Sequence, residues 1–300
     1  MKRLLLLFSI VALVSSCGNT NDGPTPSGPT SKYQKYAGEN ELKIMSFNVR
    51  TSGMDKDTPN HWEHRKEACI ALIKDHKPTL IGFQEAVYSA QWEWIKEQLK
   101  SEGYDGYGLN RQTGNESGSG ECPGILYDKS VIKKIEVGTF WLSETPDKPS
   151  KGWDANYYRT ATWGVFEYIP TGDKFVMINT HLDHESTTAQ VEGMKLIANK
   201  FKEYEDEDYP LFLTGDFNVG ASDKALEPIK DFMRNARTYA HPTDNNPTVN
   251  GFGGTSSKKK IDHIYYSDYL KVQEYYTIVD PYSGVTYVSD HYPIYAIIKL

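Results

Sequence analysis

From residue 41 to the C-terminus, short apolar runs alternate with amphipathic stretches. "ELKIMSFNV" (41–49), "TLIGF" (79–83), "GILYD", "FWLS", "TATWGVFEYI", "KFVMINTH", "PLFL", "KIDHIYYS" and "YPIYAIIKL" have strand length and are rich in β-branched and aromatic side chains. Between them, residues 62–76 set Cys69, Leu72, Ile73 and His76 on one helical face, and Pro78 ends the run. Residues 89–103 predict a second helix closed by Gly103. Residues 187–204 predict a third, with Val191, Met194, Ala198 and Phe201 as its stripe. A fourth is expected over 222–235, capped by Ser222 or Asp223. Strands outnumber helices, and helices fall between strand pairs, so the pattern predicts sheets packed on one another with helices outside.

The first 37 residues do not share this pattern. Lys2 and Arg3 precede an eleven-residue apolar core, Leu4 to Val14. A bilayer span needs about 20 residues, so this layout is that of a secretory signal. Ser15 and Ser16 before Cys17 resemble a bacterial lipobox, which implies cleavage after residue 16 and a lipid on the Cys17 sulfur. Residues 17–37 are rich in Gly, Pro, Ser and Thr and form a tether too polar to fold. Residues 38–300 carry no second linker and no repeat, so one domain is expected. The expectation is an exported monomer held at a bacterial membrane, in the periplasm or at the cell surface.

Charge narrows the partners. The chain has 33 basic and 40 acidic side chains, and loss of Lys2 and Arg3 with the leader takes the net charge from −7 to −9. A broadly basic, sequence-blind nucleic-acid coat is thereby excluded, though not a nuclease that relies on a local site. Cys69 and Cys122 are the only cysteines beyond Cys17, which makes no disulfide framework.

One strand after another ends in a polar group. Asn48 ends "IMSFN", Glu85 follows "LIGFQ", and His181 ends "VMINTH". Asp216 and Asn218 follow "FLTG", Asp262 opens "DHIYY", and Asp290 and His291 precede "YPI". Alone, each is as well explained by a turn or a solvated side chain. Together they suit phosphoester hydrolysis assisted by a hard cation. Mg²⁺ prefers a few carboxylate oxygens, which Glu85 and Asp290 can supply with Asn48 nearby. Asp216 and Asn218, two apart on extended chain, can face one pocket and orient a water. His181 and His291 can donate to phosphoryl oxygens, with Asp262 behind one of them to keep it protonated. No HExxH zinc motif is present.

Seven stretches in order, "LKIMSFNVRTSG", "IGFQEA", "YRTATWGVF", "INTHLDH", "TGDFNVG", "IDHIYYS" and "SDHYPI", resemble the endonuclease/exonuclease/phosphatase superfamily, including its deoxyribonuclease-I-like members. "FWLSETPDKPSKGWDANYYR" is similar to exported bacterial members. The resemblance implies a four-layered α/β sandwich, two mixed sheets flanked by helices, with the site at one end. It implies a phosphodiesterase or phosphomonoesterase using Mg²⁺ or Mn²⁺ on a small phosphate, a lipid head group or nucleic acid. Residue by residue, it implies Glu85 and Asp290 as metal ligands with Asn48, and Asp216 and Asn218 as the pair orienting the nucleophile. Asp262 backs His291, and His181 and Arg159 meet the phosphate. Glu121 takes the place of an acid that braces the His181 position. The other class of reading, a catalytically silent surface binding protein on the same scaffold, would be marked by a broken set, and none of these positions is broken.

Overall fold

A computed structural model describes residues 36–254 and 258–300. The expected leader, and all of the tether but its last two residues, lie outside them. In chain order the elements are β1 (Glu41–Asn48), α1 (Trp62–His76), β2 (Leu80–Gln84), α2 (Glu93–Leu99), β3 (Tyr104–Tyr107), β4 (Ile125–Asp128) and β5 (Ile132–Trp141). There follow β6 (Thr160–Tyr168), β7 (Asp173–His181), α3 (Thr187–Lys202), β8 (Leu211–Asp216), β9 (Met233–Asn235), α4 (Ala236–Tyr239), β10 (Asp262–Ser267), β11 (Lys271–Thr277) and β12 (Ile294–Lys299).

Two six-stranded mixed sheets result, in the orders β11-β12-β1-β2-β4-β3 and β5-β6-β7-β8-β10-β9. Each has one parallel pair at its centre, β1–β2 and β7–β8, with antiparallel neighbours. A parallel pair needs a long crossover, and α1 and α3 supply the two. Leu42, Ile44, Leu80 and Ile125 of the first sheet meet Phe166, Phe175, Met177, Phe212 and Ile264 of the second in a shared core. The opposite faces are buried under helices: Met45, Phe47, Ile81 and Phe83 with α1 and α2, and Val176, Ile178 and Leu213 with α3. This is the expected four-layered sandwich.

Period-two alternation gives the inner faces a gradient. Along β1 they read Leu42, Ile44, Ser46, Asn48, and along β7 Phe175, Met177, Asn179, His181. β8 reads Phe212, Thr214, Asp216, and β2 reads Leu80, Gly82, Gln84. The interface therefore passes from apolar, through a buried polar layer, to the candidate site. Asn179 centres that layer. Its amide donates to the carbonyls of Phe83 (2.8 Å) and Gly124 (3.1 Å), while its oxygen accepts from Gln84 Nε2 (2.8 Å) and Thr214 Oγ1 (3.0 Å). Gly82 makes room: a Cβ there would lie 2.2 Å from Thr214 Oγ1 and 2.3 Å from Asn179 Oδ1.

The helix expected over 222–235 does not form. Asp223 caps a single 3₁₀ stretch, Lys224–Ile229, through Ala225 N (2.9 Å), Pro228 sits inside it, and the chain then enters β9. Pro228 lacks the N–H that a continuing α-helix would use. The helix expected over 89–103 begins with a wide turn at Tyr88–Trp92 and is α-helical only through α2. β3, β9 and β11 were not foreseen, and "FWLS" contributes only the end of β5. Cys69 and Cys122 are buried and unbonded. No helix among the described residues is long and apolar enough to cross a membrane.

Replacing Asn179 by Leu would keep its bulk, leave the Thr214 hydroxyl without its acceptor and take one partner each from Gln84 Nε2 and the carbonyls of Phe83 and Gly124. Each buried polar group left unpaired costs about 1–3 kcal/mol. Denaturant unfolding of Asn179→Leu is expected to show a loss of at least ~2 kcal/mol; wild-type stability would remove the polar layer from any structural role.

Candidate active site

Register brings the polar strand ends into one row. His181 lies opposite Asp216 in the parallel β7–β8 pair, and Asp262 lies opposite Asp216 in the antiparallel β8–β10 pair. Directly opposed residues share a face, so all three side chains leave the second sheet on the side of the first. From the first sheet, Asn48 meets them. Asn48 Nδ2 donates both to Glu85 Oε1 (2.9 Å) and to Asp216 Oδ2 (3.0 Å), so one carboxamide joins carboxylates of opposite sheets. Around Asp216 Oδ2 stand His181 Nε2 at 3.6 Å and His291 Nε2 at 3.7 Å. His291 Nδ1 lies 2.8 and 3.0 Å from the two Asp262 oxygens.

Three residues of the rim hold left-handed backbone, Arg50 (φ 57°), Glu85 (φ 61°) and Asn218 (φ 56°). Such conformations are uncommon outside glycine and persist where neighbours enforce them. Here hydrogen bonds do so. Asn48 Oδ1 accepts from Arg50 N (3.0 Å) and Glu85 Oε2 from Thr51 N (3.0 Å). Asn218 donates its N–H to Asp216 Oδ1 (3.0 Å) and its amide to the Leu182 carbonyl (3.0 Å).

The two histidines are driven to opposite states. Burial works against charge on His291, but Asp262 and Asp216 beside it raise its pKa well above the ordinary 6.5. His181 is lowered well below that value by burial, then by Arg159 and Arg111. Asp216 is pushed up to about 7, by burial first and by the charge of Asp262 second. Burial also opposes ionisation of Glu85, yet the Asn48 bond, the His291 charge, the Thr51 N–H and Arg50 together bring its pKa below the ordinary carboxylate value. Asp290 is raised by burial, then by Glu85.

Most of the predicted residues converge. Asn48, Glu85, His181, Asp216, Asp262 and His291 are linked by the contacts above, and Asn218 adjoins them. Asp290 turns its Oδ2 to Arg50 Nη1 at 3.2 Å. It stands outside the two compact groups among the described residues, Glu85–His181–Asp216 and Asp216–Asp262–His291, whose ligand atoms lie within 4.8 Å of one another. Arg159 is buried, with Nε 3.3 Å from Asp183 Oδ2 and Nη2 2.9 Å from His184 Nδ1. The expected brace from Glu121 to His181 is not made. Glu121 Oε2 lies 2.7 Å from Arg111 Nη1, and His181 Nδ1 has no hydrogen-bond partner among the described residues. The cause is backbone pairing: Arg111 N donates to the Glu121 carbonyl (2.8 Å), which sets the two side chains together.

Sequence reasoning gave no site role to Arg111 or to Gln91. Gln91 accepts from Ser52 N (2.7 Å) and Val87 N (3.1 Å) and donates to the Arg50 carbonyl (2.9 Å), fixing the loop that carries Arg50. The available signal was a glutamine beside Trp92 in a turn with only Ser89 as its other small polar residue.

The donor set fits a hard divalent cation. Glu85 and Asp216 crowd a buried space with His181, and Asp216 and Asp290 resist ionisation, while Asn48 turns its amide nitrogen to the carboxylates and its oxygen to Arg50 N. The thiols of Cys69 and Cys122 are buried elsewhere in the core under the first sheet's outer face.

Asp262 explains the charge on His291. Its contribution to stability is full below the ordinary histidine pKa and is lost as pH rises through the raised value. In an NMR titration, the wild-type His291 imidazole is expected to stay protonated past pH 6.5, and in Asp262→Asn to titrate lower. Equal titration in both proteins would contradict this account.

Comparison with known proteins agrees with the geometry. The model of the Endonuclease/Exonuclease/phosphatase family matches residues 45–291. A mannosyl-6-phosphatase of Bacteroides thetaiotaomicron is 32% identical, covering 86% of this chain and 100% of its own, with a TM-score of 0.79. An endonuclease/exonuclease/phosphatase family protein of the same organism is 33% identical, covering 86% and 97%, with a TM-score of 0.78. The human nocturnin catalytic domain, solved with a bound sulfate anion, shares the fold at 17% identity, covering 87% and 95%, with a TM-score of 0.67. On its sequence match and its architecture, this chain belongs to the endonuclease/exonuclease/phosphatase family.

Proposed function

We propose that the chain is a divalent-metal-dependent phosphomonoesterase that removes phosphate from a small polyol such as a sugar. The observation that carries the reading is the bridge Glu85–Asn48–Asp216, set between a protonated His291 and a neutral His181. The mannosyl-6-phosphatase relative and the acidic net charge of −7 support a small substrate over a nucleic acid. We infer also that the enzyme is exported and held by a lipid on Cys17, because residues 1–17 have the layout of a lipoprotein leader.

In this reading Asp216, poised near neutrality, accepts a proton from the attacking water, and Asn218 orients that water. His291, charged by Asp262 behind it, donates to a phosphoryl oxygen as negative charge grows there. His181 is neutral and lines the same side, with Arg159 buried behind it. Glu85, with Asp290 once its oxygen leaves Arg50, would hold Mg²⁺ or Mn²⁺, which when bound would supply Lewis acidity for the leaving oxygen.

Purified protein is expected to hydrolyse hexose phosphates, to lose activity in chelator and to regain it with Mg²⁺ or Mn²⁺. Asp216→Ala should cost on the order of a thousandfold or more in kcat. Full activity in that variant, or in chelator, would refute the mechanism. Cys17→Ser should release the protein from the membrane fraction, and retention there would refute the anchor.

A further inference from the structure

Beside the site lies an open cleft of about 860 Å³, lined by Thr58, Asn60, His64, Phe252, Thr286 and Tyr287 among others. Both of its walls are tied to Asp290. On one side Arg50 contacts Asp290 Oδ2 (3.2 Å) and Asp55 Oδ2 (3.0 Å), and Thr58 hydrogen-bonds back to the Asp55 carbonyl (2.9 Å). On the other, Asn250 and Gly251 donate their N–H groups to the Asp290 carbonyl (2.8 and 2.9 Å) and lead directly into Phe252.

A buried guanidinium ties the same parts together from below. Arg65 donates to the carbonyls of Val49, next to Asn48, of Val288, two residues before Asp290, and of Asn60 in the cleft wall. Its Cζ lies 5.3 Å from the centre of the Phe252 ring. Phe252 itself holds φ 53° and ψ 40°, a left-handed backbone that a bulky residue adopts only under constraint. Its N–H donates to Asn250 Oδ1 (2.8 Å). The fold thus holds an aromatic ring, carried on strained backbone, in the lining of this cleft.

In-line displacement assigns the cleft a side. With the water at Asp216 and Asn218, on the second sheet, the leaving oxygen departs on the far side of the phosphorus. That side is the first sheet's, where Glu85, Arg50 and Asp290 stand. We propose that this cleft is the leaving-group subsite and that it takes one pyranose ring, its apolar face on Phe252 and Tyr287 and its hydroxyls toward Asn60, His64 and Thr286. Two aromatic faces among hydroxyl, amide and imidazole groups and the charged Lys56 and Asp57 suit a polyol with one apolar face; a purely apolar leaving group would leave those polar groups without partners. The proposal rests on the phosphomonoesterase reading and adds to it the group that departs.

The test uses the full mature protein with Tyr287→Ala and Phe252→Gly, the latter chosen because glycine adopts the left-handed backbone without strain. In each variant, kcat/KM for a hexose 6-phosphate is expected to fall about tenfold relative to that for glycerol phosphate, with KM carrying the change. Equal losses on both substrates, or none, overturn the subsite. A second arm needs no phosphate chemistry: saturation-transfer NMR with a methyl hexopyranoside. Transfer to the sugar in wild type and its loss in Tyr287→Ala are expected, and absence of transfer in wild type overturns the subsite even in an active phosphatase. Sugar contact in a protein that turns over no phosphomonoester would instead support the subsite and refute the reading it rests on.

Discussion

The Asn179 carboxamide, buried where the two sheets face each other, is the constraint on which the site depends. It uses both donors and both of its acceptor positions, and its partners come from both sheets and from the Gly124 loop. An apolar interface slides and repacks at modest cost, whereas a satisfied buried polar network permits one register. One residue pair further along the same strands lie Asn48, His181 and Asp216. A slip between the sheets at Asn179 would carry those three apart, and the 3.0 Å bond from Asn48 to Asp216 would be the first to go. Gly82 belongs to the same device, since any side chain there would occupy the space of Asn179 and Thr214.

Beyond the polar layer the problem changes from directionality to charge. Glu85, Asp216, Asp262 and Asp290 gather at one end, where Asp262 and Glu85 add to the cost of ionising Asp216, and Glu85 to that of Asp290. The chain offsets part of this with its own cations, Arg50 against Asp290 and a charged His291 against Asp262 and Asp216. Asp216 is nonetheless pushed up to about 7, by burial first and by the charge of Asp262 second, so part of the negative charge stays unbalanced. A divalent cation would complete that balance, a physical reason to expect one that is independent of family resemblance. The arginines Arg111 and Arg159 act on the other side, where with burial they keep His181 neutral. A single pocket therefore holds one charged and one neutral imidazole, separated by one carboxylate.

Much of this was legible in the sequence where local pattern and tertiary role coincide. Residues 62–76 are α-helical to the residue, because an apolar stripe and a downstream proline act together; Lys77, in left-handed conformation, makes the stop. β3 ("YDGY") and β11 ("KVQEYYT") escaped notice because they are edge strands. Such strands need only one partner, tolerate Gly and Asp, and in β11 a register shift between Val272 and Glu274 breaks the alternation. At the site, the strand-end positions were legible as a set, since period-two alternation places one polar residue per strand at the same end. The links between them were not. The Asn48–Asp216 bond spans 168 residues of sequence, and the Arg50–Asp290 pair depends on how two loops cross. Glu121 shows the same limit, because the backbone pairing of its loop with Arg111 decides which way it faces.

The near-symmetry of the sandwich gives these pieces a division of labour. Each sheet has a central parallel pair whose strands end at the site, and the two pairs contribute different chemistry. The second sheet supplies the row His181, Asp216 and Asp262 on adjacent strands, a rigid ladder in which spacing is set by backbone hydrogen bonds. Acid–base groups gain from that rigidity, since proton transfer requires fixed distances. The first sheet supplies Asn48 and Glu85 and then opens into the loop of Arg50 and Asp55, held by side chains rather than by a ladder, against which the loop leading into β10 brings Phe252. Loops vary at little cost to the core. A scaffold arranged this way can keep one hydrolytic chemistry on its ladder side while the loop side changes what leaves, and in this chain the loop side presents two aromatic faces.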